Sequence, residues 1–218
     1  MNPTQLEWTN YTWNPITGCS RGCSYCYAER MAKRLAGRNG YSRENPFKPT
    51  FHPERLHEPS HLRRPSMIFT CSMGELFDPK VNDLWIADIA AEMLSNPRHI
   101  FQVLTKRPER IQWLPDNCWL GVSIDGVNTG CEEVRALRAI HHDGLKFVSF
   151  EPLLDEVYPD LDGIGWIIIG ACTGPKAEQP EDRWILALIE EAREHDIPVF
   201  LKNNLTYWQK IQEFPGGG

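Results

Sequence analysis

The sequence predicts an α/β protein built on a parallel sheet, on three observations. Short apolar runs of strand length alternate with helical periodicity along most of the chain. One run, Trp166-Ile167-Ile168-Ile169 between Gly165 and Gly170, is apolar at every position, as a strand buried on both faces must be. Finally, Glu75, Lys106, Ser123, Glu151, Cys172 and Lys202 each fall just after such a run. That is where parallel α/β sheets carry their functional groups. The alternation gives about six β/α units with right-handed crossovers.

The elements follow in order. Trp8 to Trp13 alternates aromatic and polar residues, a strand pattern, and Asn14-Pro15-Ile16-Thr17-Gly18 turns the chain. Tyr25, Ala28, Met31, Ala32 and Leu35 have helical spacing, closed by Gly37 and Gly40. Residues 39–65 carry five prolines and little apolar periodicity, so they read as a long lid or partner loop. Its His52, His57 and His61 are irregularly spaced, as exposed loop histidines are. Strands are expected at 66–71, 101–104, 119–124, 146–150, 165–170 and 198–201. Helices are expected at 82–94 (Leu84, Trp85, Ile89 and Met93 inward), 131–142 and 182–194. The tail from Glu213 to Gly218 reads as flexible.

At 218 residues, 41% of them hydrophobic, the chain supports one domain spanning 1–218, too short for a complete barrel with additions. The net charge of −6 removes any global attraction to nucleic acid. Local clusters of Arg and Lys around Lys33 to Arg43, at Arg63-Arg64 and at Lys106-Arg107-Arg110 read as solvated residues. The N-terminus lacks the basic start and apolar run of a signal peptide, and no stretch approaches a membrane span. With an odd count of seven cysteines, a reducing cytoplasm is expected.

The chemistry concentrates in Gly18-Cys19-Ser20-Arg21-Gly22-Cys23-Ser24-Tyr25-Cys26-Tyr27. A tight loop spaced C-x3-C-x2-C can aim three thiolates at one point, and thiolates are soft ligands suited to zinc, copper(I) or iron–sulfur clusters. The next Cys is Cys71, so the local set stops at three. A metal left one protein ligand short keeps an open coordination position, where chemistry takes place. A structural zinc site and a disulfide pair remain as the plainer readings of the same residues.

With Tyr25 just before the third Cys, this motif resembles the signature of the radical S-adenosylmethionine (radical SAM) superfamily. Thr12-Trp13-Asn14-Pro15-Ile16-Thr17-Gly18-Cys19, Leu104-Thr105-Lys106-Arg107-Pro108, Ser149-Phe150-Glu151-Pro152-Leu153-Leu154 and Phe200-Leu201-Lys202 are similar, in this order, to the phage Gp37/Gp68-type family. The resemblance implies a partial (open) TIM-type barrel. It implies that Cys19, Cys23 and Cys26 bind a [4Fe–4S] cluster whose fourth iron chelates SAM. Reductive cleavage would usually give methionine and a 5′-deoxyadenosyl radical. Tyr25 would pack near the adenine. Gly74-Glu75 resembles the Gly-Gly-Glu type motif that receives the SAM ammonium, with Met73 in place of the first Gly. Lys106 and, less directly, Ser123 would orient SAM, with Asp78 a second candidate carboxylate. Glu151, Cys172 and Lys202 would face the substrate. Cys172 stands where the family commonly has Glu, and Asn203 where it more often has Gln.

A flavodoxin- or ferredoxin-type reductant is implied as partner. The substrate stays open between a nucleobase or nucleic acid, a small metabolite and a protein. Two rivals stay open too: a noncanonical cleavage that transfers the aminocarboxypropyl group, and a non-enzymatic zinc- or cluster-bearing binding module.

Overall fold

The computed structural model describes residues 1–174 and 177–216. The strands are β1 (Asn2–Pro3), β2 (Tyr11–Trp13), β3 (Ile16–Thr17), β4 (Thr50–Phe51), β5 (Met67–Thr70), β6 (Ile100–Thr105), β7 (Cys118–Ile124), β8 (Lys146–Phe150), β9 (Trp166–Ile169) and β10 (Val199–Leu201). The helices are α1 (Tyr27–Arg34), α2 (Asp83–Ser95), α3 (Cys131–Ala139) and α4 (Asp182–Glu194). The chain divides into two compact units, one of Met1–Thr105 with Gln112–Cys118, the other of Lys106–Ile111 with Trp119–Gly218. Apart from β1 and the β3–β4 pair, the strands within each unit follow one another in chain order and pair in parallel, with α1, α2, α3 and α4 in the connections β2–β5, β5–β6, β7–β8 and β9–β10. This is the α/β build of a partial TIM-type barrel.

In the first unit, β5 lies parallel between β2 and β6, and β1 pairs antiparallel with β2. Trp13, Ile68, Phe101 and Val103 are fully buried, and the Trp13 ring meets Phe101 at 5.7 Å. α2 begins where the Asn82 side chain accepts the Leu84 N–H, the usual way an orphan helix donor is satisfied. It buries Ile89, Ala90 and Met93. Leu84, expected inward, is exposed because it sits in the first turn, while Trp85 stacks on Phe51 at 5.3 Å.

Residues 39–65 form a packed strap. Its β4 pairs with β3, and Arg55 donates to the carbonyls of Asn14 and Asn39. Its far end is held by Glu92, a buried carboxylate of α2 that binds His57 Nδ1 at 2.7 Å, the Ser60 hydroxyl at 2.6 Å and the Asn96 amide at 2.8 Å. His52 is buried, against expectation, with Nε2 2.8 Å from Thr17 Oγ1. Burial and the Arg55 charge push its pKa below the usual value.

In the second unit, β7, β8, β9 and β10 pair in parallel, in order. Trp166 anchors one face, with Phe147, Phe200 and Phe214 rings around it at 5.9, 6.0 and 5.6 Å. Glu213 and Phe214, expected in a flexible tail, are docked. Trp166 donates its indole N–H to the Glu213 carbonyl, and Arg193 grips the Glu213 carboxylate with both nitrogens. The fixed aromatic and bidentate contacts outweigh the freedom suggested by the glycines that follow. Gly217 and Gly218 lie outside the described residues, as does Pro175 in the loop after β9.

Among the described residues, no helix is long and apolar enough to cross a membrane. The expected strand at 8–13 shortens to Tyr11–Trp13, because Trp8 and Thr9 belong to a turn whose Trp8 carbonyl accepts the Gln102 amide.

Candidate metal and cofactor site

In the first unit, the cysteine loop joins β3 to α1. Two glycines let it lie against the loop after β5, backbone on backbone. Gly18 N–H donates to the Met73 carbonyl at 2.9 Å, and Glu75 N–H donates to the Gly18 carbonyl at 3.0 Å. A Cβ on Gly18 would stand 2.3 Å from the Lys48 carbonyl oxygen, and one on Gly74 would stand 2.9 Å from the Gly18 backbone. Gly18 also has φ +87°, a left-handed conformation that glycine adopts without strain. The strap supplies the third side, where the Phe47 carbonyl accepts the Cys19 N–H at 3.0 Å.

Cys19, Cys23 and Cys26 are free and half-buried. Cys19 Sγ accepts the Arg21 N–H, and Cys26 Sγ caps α1 by accepting the Glu29 N–H at 3.4 Å. Burial pushes the Cys19 thiol up to about 12, against the Arg21 N–H and with help from the charges of Glu75, Asp78 and Cys23. Burial raises the Cys26 thiol too. Without a cation, desolvation keeps protons on these sulfurs.

Among the described residues, no three His, Cys, Asp or Glu side chains are grouped as a metal-binding set. By chemistry the donors fit a soft centre: three uncrosslinked thiols in one loop, two of them already receiving backbone N–H groups. Gly22, in the turn between Cys19 and Cys23, is exposed, with nothing within 4 Å of the place a Cβ would occupy.

The carboxylates beside the loop do different work. Glu75 is buried, and its Oε1 accepts the Phe77 N–H at 3.1 Å and the Thr105 hydroxyl at 2.7 Å. Asp78 is fully buried, and its Oδ2 accepts both the N–H and the hydroxyl of Ser20, the residue after Cys19. Asn14 Oδ1 takes the Ser72 hydroxyl and the Met73 N–H, and so fixes the position that departs from the double-glycine pattern. The Tyr25 carbonyl accepts from Arg30. The bracing by Asp78, Asn14 and Thr105 was missed in the sequence. Only a Ser beside Cys19 and an Asp shortly after a strand hinted at it.

In the second unit, polar residues gather at the C-terminal ends of the strands. Lys202 and Glu151 form an ion pair, with side chains 8% and 22% exposed. They pass over Gly170, where a Cβ would come within 2.9 Å of Lys202 Cδ. The Ser123 hydroxyl donates to the Glu151 carbonyl. The Lys106 ammonium lies 3.5 Å from Asp125 Oδ2 and 3.4 Å from the Ser123 carbonyl. Asp125 is buried and spends Oδ1 on the N–H groups of Val127, Asn128 and Thr129, so it builds the turn as well as pairing with the lysine. Cys172 is half-buried and free. Its neighbour Ala171 is held at both N–H and C=O by the Asn204 amide.

Comparison with curated proteins and with solved structures gives no match. Residues 3–213 match the model of a family described as a protein of unknown function, DUF5131, and over that span the chain belongs to this family.

Proposed function

We propose that the protein is a radical SAM enzyme whose cysteine loop holds a [4Fe–4S] cluster. One observation carries the reading. Three free thiols spaced C-x3-C-x2-C occupy a loop placed just after the opening parallel strand and clamped to the Gly74-Glu75 loop. When bound, the cluster would supply the electron that cleaves SAM reductively.

The chain's own residues have definable tasks under this reading. Cys19, Cys23 and Cys26 ligate. The Arg21 and Glu29 N–H groups stabilise charge on two of the sulfurs. Glu75 is the carboxylate offered to an ammonium, already oriented by Thr105. Lys106, held beside Asp125, presents a positive charge to a carboxylate or ribose. Ser123 holds the Glu151 carbonyl, and the Glu151–Lys202 pair offers a substrate an acceptor and a donor side by side. Cys172 is a thiol available to the substrate. A flavodoxin- or ferredoxin-type protein in a reducing cytoplasm would deliver the electron.

The test is anaerobic reconstitution, iron and sulfide analysis, then incubation with SAM and dithionite. About four irons per chain and release of 5′-deoxyadenosine are expected. Methylthioadenosine in its place would indicate aminocarboxypropyl transfer. A protein that takes up zinc alone, or a cluster without either nucleoside product, would overturn the reading. Cys23→Ala is expected to abolish iron retention.

A further inference from the structure

The outward face of α1 has a composition the thiol chemistry does not explain. Tyr27, Arg30, Met31 and Arg34 recur at i, i+3, i+4 and i+7, the spacing of one helix face. Its two large apolar members, Tyr27 and Met31, would ordinarily turn inward. Here Ala28 and Ala32 take the core side, and Tyr27 and Met31 remain 46% and 42% exposed. The Tyr27 hydroxyl donates to the Ser72 carbonyl, which holds the exposed ring in one orientation.

Charge is segregated onto the same stretch. Residues 27–48 contain six cations, Arg30, Lys33, Arg34, Arg38, Arg43 and Lys48, against Glu29 and Glu44. That is a net of +4 in a chain whose total is −6, so the remainder carries −10. Lys33 pairs with Glu29 and Arg30 with the Tyr25 carbonyl. Arg34, Arg38, Arg43 and Lys48 are exposed, and among the described residues their side chains make no hydrogen bond or ion pair. Four unpaired cations within fifteen residues of chain favour an anionic partner.

We infer that the α1 face and the following turn bind single-stranded nucleic acid, with Arg34, Arg38, Arg43 and Lys48 on phosphates and a base stacked on Tyr27. Arginine forks suit phosphate oxygens. A fixed, half-exposed ring on the same helix face as Arg34, with three more cations in the turn that follows, offers the stacking platform and electrostatic track that single strands use. An acidic protein surface would use the cations but not the ring.

The test is fluorescence anisotropy of a labelled 15-nucleotide mixed-sequence single-stranded DNA, titrated with the full chain before iron loading. With about four phosphates neutralised, binding should weaken about fifty-fold between 50 and 200 mM salt. Arg34→Gln/Arg38→Gln/Arg43→Gln should reduce that salt response to about threefold. Tyr27→Ala should weaken binding about tenfold, while Tyr27→Phe stays within about twofold. No binding at 50 mM salt, or binding untouched by the triple substitution, would overturn the inference. So would polyglutamate competing as well as unlabelled DNA. Iron content of the reconstituted triple variant should equal that of the unsubstituted chain, so this inference and the cluster assignment fail separately.

Discussion

Asp78 and Ser20 are joined twice through one oxygen: Asp78 Oδ2 accepts the Ser20 N–H at 2.6 Å and the Ser20 hydroxyl at 2.7 Å. The carboxylate is fully buried, and its other oxygen takes the Lys80 N–H. It therefore ties the loop after β5 to the start of the C-x3-C segment, at Ser20. Asp78→Ala removes three hydrogen bonds to a buried carboxylate and should cost about 1–3 kcal/mol in urea unfolding. Ser20→Ala keeps the backbone bond and should cost about 1 kcal/mol or less. Both should lower iron retained per chain on reconstitution in the same rank order. Full iron content in Asp78→Ala would show that the tether does not shape the cysteine loop.

The alternation of strands and helices was legible because its signals are local. The helix at Asp182–Glu194 and the strand at Lys146–Phe150 fall where their periodicity and apolar runs place them. The thiol loop was legible through spacing alone. What escaped the sequence was contact across distance. His52 looked like a loop residue, yet the β3–β4 pairing carries it into the core. Glu213 and Phe214 looked like tail until Arg193 and Trp166 are seen beside them. Glu75 reads from the sequence as a holder of a cofactor amine or a helix cap. Its Oε1 also braces a turn through Phe77 and Thr105, a pairing whose second partner is thirty residues away.

Gly18 and Gly22 both have positive φ, +87° and +76°, but only Gly18 is crowded. Gly22→Ala should cost only the backbone strain, about 1–2 kcal/mol. Gly18→Ala adds a collision with the Lys48 and Phe47 carbonyl oxygens, both rigid backbone atoms. It should exceed the Gly22 change by about 2 kcal/mol or more, or fail to fold. Chemical denaturation of the two variants checks the difference, and equal costs would show that the strap does not press on the loop.

The Glu151–Lys202 pair is largely withdrawn from water. Removing one partner strands a charge, whereas removing both does not. Lys202→Met and Glu151→Gln should each destabilise by about 3 kcal/mol, and the double variant by less than their sum. A double-mutant cycle in urea should give a coupling of about 1–3 kcal/mol. Additive costs would mean that the two side chains act independently of each other.

Acid should loosen the last ordered turn of the chain before the sheet itself. The Arg193 hydrogen bonds hold the Glu213 carboxyl below its ordinary range, helped by the Val199 N–H and opposed by partial burial. A carboxyl with a depressed folded pKa contributes its stability above the unfolded value, about 4.3. It loses that contribution as pH falls through the folded value. Amide exchange at Leu201 and Glu213, whose N–H groups bond to the Ile211 and Val199 carbonyls, should therefore accelerate relative to Ile167 as pH drops below about 4, after correction for intrinsic rates. In Glu213→Gln the relative protection of these amides should be weaker at pH 7 and flat across the same range. A wild-type profile equally flat would show that the Arg193 contact contributes nothing to holding the Ile211–Phe214 segment against β10.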